Sequence, residues 1–100
     1  MKSIMTNKLK LAPSTKFKKD LKKITKQGKN RELLSLVIEK LQHQEPLPLK
    51  TRDHALIGDY KGYRECHIMP DWLLVYRVVS NNSVELLELS RTGSHSDLFK

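Results

Sequence analysis

Thiols are almost absent from this chain: Cys66 is its one cysteine, so no internal disulfide can form, and there is no Cys/His array with zinc-finger spacing. That usage fits a reducing compartment, the cytosol. Long apolar runs are missing as well. None approaches the roughly 20 residues of a membrane span, and Met1 to Leu11 lacks the apolar stretch of a signal peptide. The reading is a soluble, cytoplasmic protein with no membrane partner. Internal repeats and low-complexity tracts are also lacking. One hundred residues are read as one domain, residues 1–100, with no room for a second catalytic one.

Acidic residues are scarce, 11 against 19 Lys and Arg, and the imbalance is local. Residues 1–50 hold 13 Lys/Arg against 4 Asp/Glu, whereas residues 51–100 hold 6 against 7. A positive half of this size attracts a polyanion through phosphate contacts and counterion release, or an acidic protein partner. A solvated lysine-rich helix accounts for the same charge.

Leu9 and Leu11 alternate with lysines, which predicts a short strand ending at Pro13. Ser14 or Thr15 can cap a helix carrying Phe17, Leu21 and Ile24 at helical spacing, with Gly28 as its stop. A second helix is expected from Asn30 toward Gln44, burying Leu33, Leu34, Val37, Ile38 and Leu41. Pro46 and Pro48 make the next stretch a linker. Strands are then predicted over Tyr60 to Ile68, Trp72 to Val79 and Val84 to Ser90, with turns at Pro70-Asp71 and over residues 80–83. Connections this short force antiparallel pairing, and the helices have only this sheet to cover. The expected fold class is α+β, βααβββ: a two-helix hairpin packed on a small antiparallel sheet.

Three of the four histidines, His54, His67 and His95, lie in the second half. Two of them sit in dense polar strings, KGYRECHIMPDWLLVY from Lys61 and RTGSHSDLF from Arg91. Strand alternation puts Tyr63, Glu65 and His67 on one face and Arg64, Cys66 and Ile68 on the other. His67 then points to the open face near Asp71. A bend over Thr92-Gly93-Ser94 would carry His95 and Phe99 back toward it. Cutting RNA without a metal needs a base for the 2′-hydroxyl proton, a cation for the phosphate and an acid for the departing 5′ oxygen. His67, Asp71, Arg91 and His95 supply that inventory. Arg91 is the candidate phosphate clamp, His54 a further proton-transfer group, and Phe99, Tyr63 or Trp72 a ring for base stacking.

Each residue also has a structural explanation. Trp72 suits a core, Asp71 a turn after proline, and Arg91 a surface ion pair. Cys66 as a nucleophile is disfavoured because adjacent strand residues face apart. His43 fits the end of a helix. His67, Asp71, His95 and Asp97 contain no helical ligand pair, so no metal and no cofactor is expected.

Taken together, the stretch DHALIGDYKGYRECHIMPDWLLVY from Asp53 and the string from Arg91 to Phe99 resemble the YafQ branch of the RelE/ParE toxin superfamily. The resemblance implies a RelE-like microbial ribonuclease fold and metal-independent cutting of messenger RNA in the A site of the 70S ribosome, leaving a 2′,3′-cyclic phosphate. It carries the functional set onto His54, His67, Asp71, Arg91, His95 and Phe99. Asp71 or His67 would be base, His95 acid, Arg91 and His54 phosphate stabilisers, and Phe99 a substrate positioner. It further implies a DinJ/RelB-like antitoxin as cognate partner, with operator DNA reached only through the antitoxin complex. The alternative from another class is a non-catalytic binding module of this fold that grips antitoxin or DNA.

Overall fold

Leu9 is buried, and the chain then forms strand β1, Lys10–Pro13. Ser14 caps helix α1, Thr15–Lys26, its hydroxyl accepting the Phe17 N–H at 2.9 Å. Gly28, at φ +82°, closes the helix: its N–H reaches the Thr25 carbonyl and the Lys29 N–H the Ile24 carbonyl, a Schellman ending. Asn30 caps helix α2, Arg31–Gln42. This helix stops two residues before the predicted Gln44, because Gln44 adopts φ +56° and a second Schellman pair forms, from Gln44 to Leu41 and from Glu45 to Lys40. The structure is a computed structural model and describes residues 8–99. Residues 1–6, which the sequence predicts to form a disordered tail, lie outside them.

The α+β class and the βααβββ framework hold. One five-stranded sheet, ordered β1-β5-β4-β3-β2, contains β2 (His54–Ala55), β3 (Arg64–Met69), β4 (Trp72–Asn81) and β5 (Val84–Gly93). β1 runs parallel to β5 and the other pairs are antiparallel. The two-residue β2 is too short to carry a periodic signal. The strand expected from Tyr60 begins only at Arg64, since Gly58–Tyr60 forms a 3-10 turn and the Tyr63 N–H bonds back to the Tyr60 carbonyl. Asn82 and Ser83, both at positive φ, make the two-residue turn between β4 and β5.

β5 also outruns its predicted end at Ser90. The expected bend at Thr92-Gly93 is strand, and the chain turns only at Ser94, which caps the short helix α3, His95–Leu98. Gly93 permits the return, because a Cβ there would lie 3.4 Å from Leu98 Cδ2.

The helices cover one sheet face, with Phe17, Ile24 and Leu34 packed on Cys66, Trp72, Leu74, Tyr76, Leu87 and Leu89. On the other face Leu73 and Val75 are covered by Leu98 and by Leu56, Tyr60 and Tyr63 of the loop before β3. One irregularity aims a key side chain: Val75 pairs with Arg91 but Tyr76 with Leu89, leaving Ser90 as an extra residue. This bulge puts Arg91 on the face that carries His67 and sends Thr92 into the core.

Candidate active site

The strand alternation of β3 holds. Cys66 is fully buried among core residues, and burial pushes its thiol up to about 12, so it stays protonated and is no nucleophile. Trp72 is also core, its indole N–H donating to Thr92 Oγ1 at 2.9 Å, and it offers no surface to a base. Glu65 and His67 project to the opposite face, where the His67 ring centroid lies 5.7 Å from that of His95.

His95 stands at the start of α3, over the β3–β4 turn. Its Nδ1 lies 3.1 Å from Asp71 Oδ1, and its backbone N–H donates to the same oxygen. Those two bonds hold the Asp71 carboxyl below its ordinary range, so it is ionised at neutral pH and fixes the ring that faces it. His67 Nδ1 lies 3.3 Å from the Thr51 carbonyl. A carbonyl only accepts, so this bond puts the proton on Nδ1 and leaves Nε2 with its lone pair.

His54 enters from β2, with Nδ1 bonded to the Arg52 carbonyl and Nε2 3.4 Å from Glu65. The loop that carries it is tied down by its neighbour Asp53, which accepts from the Tyr76 hydroxyl and from Arg64 Nε. Tyr76→Phe is therefore expected to cost about 1 kcal/mol of stability, read by urea denaturation, and to loosen the loop that carries His54.

Arg91 is a fixed cation. Its Nε and Nη2 donate to the two oxygens of Asp20 at 2.7 and 3.1 Å, and the Thr92 N–H donates to the same carboxylate at 3.1 Å. Asp20 thus caps the edge of β5 beyond the end of β1 and sets the orientation of the guanidinium. Phe99 completes the group, its ring 6.5 Å from His95 and 5.2 Å from Tyr60.

All six residues singled out in the sequence therefore lie around one end of the sheet. Two more join them that sequence reasoning passed over. Glu65 is a buried carboxylate whose oxygen, with nitrogens of His67 and His95, forms a set lying within 4.8 Å. The alternation that selected His67 also pointed to it. One carboxylate and two imidazoles suit a borderline divalent ion. Glu65 here takes the place of Asp71 and Asp97, which are engaged with His95 and Lys23. The other residue is Asp20, which no local pattern marked.

Imidazoles, an ionised carboxylate and an anchored guanidinium at one end of an α+β sheet define a small protein equipped for acid–base chemistry on an anionic substrate. Residues 9–100 match the model of a bacterial toxin of type II toxin–antitoxin systems, YafQ. The chain belongs to the YafQ toxin family. It is 38% identical over 87 residues to the mRNA interferase toxin YafQ of Escherichia coli K12, covering 86% of this chain and 90% of that one. Its structure is similar to the E. coli DinJ–YafQ toxin–antitoxin complex (TM-score 0.81, 35% identity, 93% and 99% of the two chains). It is also similar to a metal-bound toxin from Helicobacter pylori (TM-score 0.82, 45% identity, 91% and 99% of the chains).

Proposed function

We propose that this chain is a cytoplasmic endoribonuclease toxin that cuts messenger RNA in the ribosomal A site without a metal and is neutralised by a DinJ-like antitoxin. The observation that carries the reading is the grouping of His67, His95 with Asp71, and Arg91 on one face of the sheet, at one end of it. The naming of the E. coli relative as an mRNA interferase supports it.

In the reaction, His67 Nε2 takes the proton of a 2′-hydroxyl. The 2′ oxygen attacks the adjacent phosphorus, and the bond to the 5′ oxygen breaks as His95, paired with ionised Asp71, gives that oxygen a proton. The products are a 2′,3′-cyclic phosphate and a 5′-hydroxyl. Arg91 and His54 stabilise the phosphorane charge, Phe99 positions the nucleotide, and Glu65 orients His54.

The lysines of α1 suit docking among ribosomal phosphates and equally suit an acidic antitoxin segment. Operator DNA is then met only through the antitoxin complex. No described helix is long and apolar enough to cross a membrane.

Glu65, His67 and His95 would hold an ion here. An ion on them would occupy the lone pairs that the proton transfers use, so cleavage is expected to survive chelation that spares the ribosome's magnesium. Loss of cleavage restored by added transition metal would overturn the metal-independent reading. Induced in bacteria without antitoxin, the chain should arrest growth, and Asp71→Ala should relieve the arrest. Equal growth with and without either protein would sink the toxin reading.

A further inference from the structure

The ring contacts of the site continue past the histidines. Phe99 meets Tyr60 edge-on at 5.2 Å, Tyr60 meets Tyr63 edge-on at 6.0 Å, and the Arg77 guanidinium lies 4.5 Å from the centroid of the Tyr63 ring. Neither tyrosine is buried; both are half-exposed on the face that carries His67. Beside them opens a hollow of about 340 Å³, lined among others by Lys16, Asp59, Tyr60, Tyr63, Glu88 and Arg91. No catalytic imidazole lines it, and Arg91 is the residue it shares with the proton-transfer site.

We propose that this hollow is a nucleotide subsite that takes the base next to the scissile phosphate in single-stranded message, an inference that rests on the endoribonuclease reading. Aromatic walls give a splayed base faces to stack on whatever its identity. Because Arg91 borders both places, a phosphate at the histidines and a base in the hollow belong to neighbouring nucleotides. Lys16, at the open side, suits the next phosphate along the strand.

The floor supplies discrimination. Glu88 Oε1 accepts from Arg77 Nε at 2.9 Å, while Oε2 accepts over longer distances, from the Tyr63 hydroxyl at 3.5 Å and the Ser90 hydroxyl at 3.3 Å. That oxygen and the Asp59 carboxylate are acceptors, so they favour a base edge with an exocyclic amino group over uracil, whose single N–H is flanked by two carbonyls that a carboxylate repels.

The test uses the full chain and ribosomes programmed with messages in which one nucleotide at a time, across the A-site codon and its two neighbours, is adenine, uracil or abasic. Single-turnover cleavage is compared for the unsubstituted protein, Tyr63→Leu and Glu88→Gln, with thermal melting to establish that each is folded. At one position the missing base should slow the unsubstituted protein about tenfold and slow Tyr63→Leu far less, because the ring and the base act as one contact. At that same position Glu88→Gln should lose most of the preference for adenine over uracil. If Tyr63→Leu fails to fold, the base preference of Glu88→Gln decides the question alone. Equal abasic penalties in all three proteins at every position would overturn the subsite while leaving the catalytic reading intact. Failure of the unsubstituted protein to cut any message would overturn both.

Discussion

His95→Ala is expected to cut ribosome-bound message about 10²–10⁴-fold more slowly than the unsubstituted protein, the loss typical of removing a positioned general acid. Its melting temperature should barely change. The side chain is half-exposed, and α3 keeps its Ser94 cap and its Leu98 anchor without it. The pairing with Asp71 adds a pH signature. Because the Asp71 carboxyl is held below its ordinary range by His95, its charge supports His95 at neutral pH and is lost only as pH falls through that lowered pKa. The rate advantage of the unsubstituted protein over Asp71→Asn should therefore be full above the usual carboxylate range and disappear on acidification below it. A constant ratio at every pH would remove Asp71 from the acid's support. A His95→Ala variant of undiminished rate would remove His95 from catalysis.

Asp20→Ala is expected to lower stability by about 3 kcal/mol, the cost of stripping one partner from a largely buried ion pair. Three bonds go at once: both arms of the Arg91 fork and the Thr92 N–H. Urea denaturation reads the stability. Cleavage at a temperature where the variant remains folded reads the second effect, a further loss of rate as the guanidinium becomes free to turn. Asp20→Asn should fall between the two proteins in both measurements, since an amide oxygen can accept only part of what the carboxylate accepts. Arg91→Lys with Asp20 intact should also lose rate, because an ammonium cannot reproduce the two-pronged geometry. A loss under about 0.5 kcal/mol would mean that Arg91 is held by something else.

Where a signal is local, the sequence was a good guide. Phe17, Leu21 and Ile24 recur at helical spacing, and Ser14, Asn30 and Gly28 cap or stop helices where such residues are expected. What escaped depends on tertiary context. Gln44 ends α2 in a left-handed conformation that glycine normally signals, and β2 exists only because β3 offers it an edge. Tyr60 to Gly62 runs straight into the alternating residues of β3 and reads as its start, yet the Tyr63 N–H closes a turn on the Tyr60 carbonyl. Cys66 and His67 fell on the faces that alternation assigns, and Trp72 in the core that its bulk suits. The Ser90 bulge, which alternation cannot foresee, is what brings Arg91 to the same face. Asp20 is 71 residues from Arg91 and hidden in a lysine-rich helix, and the Thr51 carbonyl that selects the His67 tautomer is a backbone atom.

The chemical identity of the new 3′ end tests the proposed acid–base cleavage most directly. Ribosomes holding a defined codon in the A site are treated with the protein, in parallel with His95→Ala, and the message fragments are analysed by mass spectrometry and primer extension. The predicted result is a cut within that codon leaving a 2′,3′-cyclic phosphate and a 5′-hydroxyl, nearly absent with His95→Ala. A 3′-hydroxyl end, or cutting that does not depend on the A site, would contradict it.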